Sequence, residues 1–107
     1  MSRFVLSNRA IQDLEVIGSY IAHDSVEAAG RVLDYIEEQL NLLATRPLIG
    51  RVRPDLWQGM LCFVIGRPRW RSRYLIFYRC TGTGIEVARI IEAHRNIAAA
   101  LEDMPSD

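Results

Sequence analysis

The densest chemistry in this chain is one short run, Arg67-Pro68-Arg69-Trp70-Arg71-Ser72-Arg73. Four guanidinium groups fall on alternate residues, and their planar forks suit phosphates and carboxylates. Trp70 could stack on a base or fill a partner's pocket. The ordinary reading of the run is a solvated turn whose charge discourages edge-to-edge pairing. A second candidate set lies near the end of the chain. There His94 could act as general acid or base, with Arg79 or Arg95 stabilising a pentavalent phosphate and Glu92 as a partnering base. The ordinary reading is that His94 and Arg95 end a strand and hydrogen-bond a loop. Gly82-Thr83-Gly84 is too short for a phosphate loop, and no P-loop, dinucleotide fingerprint, nucleophile elbow or HExxH is present. A metabolic enzyme is therefore a poor expectation.

The elements that must carry these residues follow from periodicity. Phe4-Val5-Leu6-Ser7 reads as a first strand, with Ser7 placed to cap a helix. Ala10, Leu14, Ile17 and Ile21 recur at helical spacing, predicting an amphipathic helix over about 8–23. Ser25 can cap a second helix whose stripe runs through Ala29, Ile36, Leu40 and Leu43 to about Thr45, where Pro47 stops it. So short a link makes the two helices an antiparallel hairpin. Arg46 to Gly59 has two prolines, two glycines and no periodicity, so it reads as loop. Met60–Ile65, Tyr74–Tyr78 and Ile85–Ile91 read as three strands rich in β-formers and joined as an antiparallel meander. Residues 96–104 could add a helical turn or two before Pro105. The expected fold is one α+β domain over residues 1–107: a helical hairpin on one face of a four-stranded, mainly antiparallel sheet, in the order β-α-α-β-β-β.

Composition narrows the class. All 13 basic residues apart from the histidines are arginine, and the formal net charge is zero. The charge is nonetheless segregated. Between residues 46 and 79 there are eight arginines against Asp55 alone, while between 11 and 40 there are seven acids against Arg31. Such a two-faced chain says something about partners rather than about fold. Cys62 and Cys80 lack metal-ligand spacing and are expected to be free thiols in packing roles, so no metal site is expected. No run of apolar residues is long enough to span a bilayer, and the N-terminus turns polar too soon for a signal peptide, which favours a cytoplasmic protein. Arg79 and Arg89 fall in strands. There they either pair with Asp13, Glu86 or another acid, or line a working face.

Several segments taken in order resemble the ParE/RelE superfamily of type II toxin–antitoxin toxins, and the ParE branch most closely. These are Leu6-Ser7 with Ala10, Asp13-Leu14, Ile17 and Tyr20-Ile21-Ala22; Ala28-Ala29; Pro47 with Gly50-Arg51, Arg53 and Pro54; Arg73-Tyr74-Leu75-Ile76-Phe77-Tyr78-Arg79; and Gly84-Ile85-Glu86-Val87 with Arg89-Ile90-Ile91. The resemblance spans roughly residues 4–97. One departure stands out: family members commonly read close to Gly-Arg-Tyr before the Tyr74 strand, whereas here Gly66 is separated from Arg73 by six residues.

The resemblance implies a toxin neutralised by a cognate antitoxin of the ParD or a similar type, with DNA gyrase as target and no cofactor. The alternatives are a ribosome-dependent messenger RNA endonuclease of the RelE kind, with Arg79, His94 and Arg95 as its catalytic groups, or a nontoxic member acting only in the antitoxin complex. Catalytic groups in the nuclease branch often include lysine, and this chain has none. Target binding is expected at Arg67, Arg69, Trp70, Arg71 and Arg73. Antitoxin binding is expected at Leu14, Ile17, Ile21, Tyr74 and Tyr78, with the helical hairpin and the outer sheet face as docks. Tyr74 and Tyr78 share a strand face, and such residues are more often sheet packing. Nothing reads as a helix-turn-helix, so DNA contact is expected only through the antitoxin.

Overall fold

The computed structural model describes residues 3–94. The chain runs β1 (Arg3–Leu6), α1 (Asn8–Ala22), α2 (Val26–Thr45), a 3-10 turn (Pro47–Ile49), β2 (Arg51–Val52), β3 (Leu61–Ile65), β4 (Tyr74–Cys80) and β5 (Gly84–Glu92). The sheet order is β1-β5-β4-β3-β2, with β1 parallel to β5 and every other pair antiparallel. The sheet thus has five strands rather than four. The extra one, β2, is two residues long and pairs Arg51 with Cys62 and Val52 with Leu61. Two residues cannot display an alternation, so this strand exists only through its partner. The C-terminal helix anticipated over 96–104 lies outside the described residues.

Both helix starts are capped as their serines suggest. The Ser7 Oγ accepts from Ala10 N at 3.0 Å and donates to Ala88 O at 2.7 Å, so one hydroxyl closes α1 and fastens it to β5. The Ser25 Oγ accepts from Ala28 N at 3.1 Å. The apolar stripes of both helices face the sheet. Ile36, Leu40 and Leu43 of α2 are fully buried against Ile76, Tyr78, Ile85, Val87 and Ile90, while Leu14, Ile17 and Ile21 of α1 pack around them. Each large aliphatic side chain buried this way contributes about 1.5–3 kcal/mol.

The other face of the sheet is not open. Met60, Cys62, Leu75, Phe77 and Ile91 form a second buried cluster, against which Leu56 and Trp57 of the β2–β3 loop pack together with Ala88 and Ala93. Residues 74–78 of β4 are consequently buried on both sides. The outer sheet face is therefore not the open apolar dock expected for an antiparallel sheet with one solvated face.

The edge of β5 changes hands midway. β1 pairs only with Gly84–Val87. A Cβ on Gly84 would strike the backbone of Arg3, so glycine there permits the close approach. Beyond Val87 the edge is taken over by α1. Ser7 bonds Ala88 O, and the Asp13 carboxylate accepts from Ile90 N at 2.9 Å. A side chain thus satisfies a backbone donor that a longer β1 would have met.

Candidate functional site

The β3–β4 loop, residues 66–73, is held from below by Tyr35 of α2. The Tyr35 hydroxyl donates to Gly66 O at 3.1 Å and accepts from Gly66 N at 3.2 Å. The Trp70 ring packs edge-on against Tyr35, with centroids 4.8 Å apart and planes at 77°. The Arg67 guanidinium lies 4.6 Å from the Tyr35 ring centre. Within the loop, Trp70 N donates to Arg67 O at 3.0 Å. At its far end Ser72 Oγ donates to Glu92 Oε1 at 3.2 Å. Aromatic pairs add about 0.5–1.5 kcal/mol, and an exposed cation–π contact about 0.5–1 kcal/mol. The tip is therefore a built structure. Arg67, Arg69, Arg71 and Arg73 are exposed, but Trp70 is half-buried and joins the helix-side core. Trp70 is the fastener of the tip rather than the free base-stacking ring that the sequence suggested. Tyr35 escaped sequence reasoning because it sits on α2 beside the buried stripe, and only the folded loop reveals its task.

The candidate nuclease residues fall at opposite ends of the β4–β5 hairpin. Arg79 donates to Glu86 at 2.7 Å. His94 follows β5 in an exposed turn, next to Ala93, whose N–H bonds Arg73 O at 2.8 Å. From Arg73 to Arg79 the chain runs six residues in extended form, roughly 20 Å at ~3.3 Å each. Arg79 and His94 are thus not brought together, and Glu92 is engaged with Ser72. Arg95 lies outside the described residues. Among the described residues no three His, Cys, Asp or Glu side chains are grouped to hold a metal ion.

Among the described residues, Arg89 is the buried arginine. Its Nε donates to Asp13 Oδ2 at 2.7 Å and its NH2 group to Oδ1 at 2.9 Å, with both side chains nearly sealed from solvent. Of the two readings open for Arg79 and Arg89, pairing with Glu86 and Asp13 holds for both.

The expected antitoxin residues divide. Tyr78 is fully buried: its hydroxyl donates to Pro47 O at 2.8 Å and accepts from Gly50 N at 3.0 Å. A Cβ on Gly50 would collide with that hydroxyl. Tyr78 therefore has no surface for a partner, because its polar end is consumed in fastening the turn after α2. Burial pushes its phenol above the ordinary tyrosine value. The Tyr74 phenol is likewise raised, by burial first and by Glu92 second. Tyr74 is almost wholly buried, yet its edge lines a shallow groove of about 160 Å³ with Val16, Ile17, Tyr20 and Ile90. Leu14 lines a second groove of about 250 Å³ with Phe4, Leu6, Leu33, Ile36 and Leu40. Ile21 is half-buried against the core. The apolar side chains that α1 does expose are Ile11, Val16 and Tyr20, the last at 78%. The sequence stripe selected the inward face, since periodicity marks burial and cannot mark a second, partner-facing apolar row. Both cysteines are free thiols; burial pushes Cys62 upward, whereas Cys80 is exposed.

The fold is an α+β domain with a basic, pinned hairpin tip and two mainly apolar grooves flanking α1. The chain belongs to the ParE family: residues 4–97 match the family described as the ParE toxin of the type II toxin–antitoxin system parDE. Toxin ParE3 of Caulobacter vibrioides is 29% identical over 102 residues, which cover 94% of this chain and 96% of that relative. A solved structure of the chromosomal ParDE toxin–antitoxin system from P. aeruginosa superposes with a TM-score of 0.64 at 25% identity, covering 86% of this chain and 96% of that one. The chain is accordingly the toxin component of a type II system, and an antitoxin is its family-implied partner. No described helix is long and apolar enough to cross a membrane.

Proposed function

We propose that the toxin acts in the cytoplasm by gripping DNA gyrase, without catalytic residues of its own, and that its antitoxin docks along α1. The observation that carries the binding mode is the separation of Arg79, committed to Glu86, from His94 across the length of the β4–β5 hairpin. A phosphodiester cleavage site needs its acid, base and charge stabilisers within hydrogen-bond reach of one phosphate. The target-facing surface is the tip that carries Arg67, Arg69, Arg71 and Arg73, with Trp70 holding its shape. The antitoxin surface is the pair of grooves flanking α1, where exposed Val16 and Tyr20 continue into half-buried Ile17 and Leu14. A partner segment that folds on binding needs such apolar anchors.

Gyrase supercoiling and cleavage assays with the purified chain test the reading. Inhibited supercoiling with trapped DNA breaks is expected, and addition of the antitoxin should abolish both. Untouched gyrase alongside cut messenger RNA would replace this reading with the ribosome-dependent one. Growth unaffected by induction would point to a nontoxic member. On the antitoxin side, Tyr20→Asp should weaken toxin–antitoxin binding by at least ~10-fold, as loss of an exposed aromatic anchor typically does.

A further inference from the structure

We propose that the 66–73 tip is a phosphate-backbone clamp through which the toxin itself binds duplex DNA. This goes against the expectation that DNA contact comes only through the antitoxin. Arg69, Arg71 and Arg73 are exposed, and none has an ion-pair partner among the described residues. The loop beneath them is fixed by Tyr35, Trp70 and the Ser72–Glu92 bond, so they are presented from an ordered backbone. Guanidinium groups held in this way need little further ordering to engage phosphate oxygens.

Three partners compete for such a surface, and the structure separates them. A folding peptide needs apolar anchors, but among the described residues the exposed large apolar side chains lie on β1, α1 and α2 and around Leu48–Val52, with Val64 near the base of the tip and none within residues 66–73. Isolated carboxylates meeting exposed arginines add little. Single-stranded nucleic acid is held by several aromatic faces in succession, and residues 66–73 carry one aromatic ring, the half-buried Trp70 set against Tyr35. A duplex presents one charge per ~1.7 Å of axis, and neutralising its phosphates releases counterions without any apolar contact. Arginines on alternate residues, whose Cα atoms lie at most ~7 Å apart, can each reach a phosphate on such a rod. Three acids lie by the tip: Glu92 accepts from Ser72 Oγ at 3.2 Å at its far end, and Asp34 and Glu38 line the cleft under Arg67 together with Arg31, on the α2 side.

The test uses the full-length chain without antitoxin and a short fluorescein-labelled DNA duplex of mixed sequence, with anisotropy read as salt is raised. Three phosphate contacts predict a log–log slope of about −2.7, or ~40-fold weaker binding between about 50 and 200 mM salt. Replacing Arg69, Arg71 and Arg73 together with serine should flatten the slope to between about −1 and zero. Replacing them with lysine should retain it. Thermal melts establish that each variant folds. The proposal is overturned by a serine variant that keeps the slope. It is also overturned by equal affinity for a polyglutamate peptide, or by tighter binding to a matched RNA hairpin or single strand. Because the readout is duplex binding alone, its failure would leave the gyrase reading standing, and a failed gyrase assay would leave this one standing.

Discussion

Arg89 and Arg71 carry the same functional group into opposite physical situations. At the β5 edge, Arg89 is sealed from water and bound through two hydrogen bonds to Asp13, whose carboxylate also takes the Ile90 N–H. At the tip, Arg71 stands in solvent on a loop that owes its shape to Tyr35 and Trp70 rather than to any arginine pairing. One arginine is part of the scaffold, and removing its partner strands a buried charge. The other is a tool that the scaffold presents. A count of arginines along the chain merges the two.

Substitutions can break that contrast, beginning with the largest effect. Asp13→Ala should cost about 3–5 kcal/mol, because it leaves the buried guanidinium and the Ile90 amide without partners. Chemical denaturation reads this directly. The double variant Asp13→Ala with Arg89→Met should recover most of the loss, and a cycle showing no coupling would mean that the pair is not the fastener described here.

Tyr78→Phe should cost about 1–3 kcal/mol, since Gly50 N–H and Pro47 O both lose a partner in a buried place. The same residue gives a pH prediction. Its phenol is raised in the folded chain, so its contribution is intact below the ordinary tyrosine value of about 10 and declines as pH rises above it, where the unfolded chain ionises first. Tyr74 acts in the same direction. The Phe variant should lose stability more shallowly in alkali than the parent.

Tyr35→Phe keeps the ring beneath Arg67 and Trp70 but deletes both bonds to Gly66. A loss of about 0.5–1.5 kcal/mol is expected, with faster hydrogen exchange at the Gly66 amide. Unchanged exchange there would show that the tip is not pinned through the hydroxyl. Smallest of all is the Arg53–Asp55 pair, at 2.9 Å on the surface. The hydrogen bond from Arg53 lowers the Asp55 carboxyl, which places any contribution above the ordinary carboxylate range, to be lost as pH falls through the depressed value. Solvent screens the pair, and Asp55→Asn should leave the melting temperature where it was.

Much of the scaffold was legible along the chain. Ser7 and Ser25 were readable as caps because a cap is a local contract between a hydroxyl and an amide three residues on. The inward stripes and the three long strands were readable because burial imposes a period of 3.6 or 2. The partners of Arg79 and Arg89 stood among the acids the sequence offered, since an arginine embedded in a strand must find one. The site was less legible. The Arg-rich tip was visible as composition, but Trp70 looked free and Tyr35 did not figure. Tyr78 looked like a contact residue because strand alternation places a ring on a face without saying what lies over it.

What the sequence by itself determined is therefore the set of elements and their buried faces, since these follow from spacing within one helix or strand. Only the tertiary structure decided that β1 ends at Leu6, opposite Val87, and leaves the edge of β5 to Asp13, that two residues become β2, that Leu56 and Trp57 close the outer sheet face, and that one tyrosine of α2 shapes the basic tip. These choices join residues from about 10 to about 80 positions apart. Such contacts follow from how the layers pack, and no local period records them.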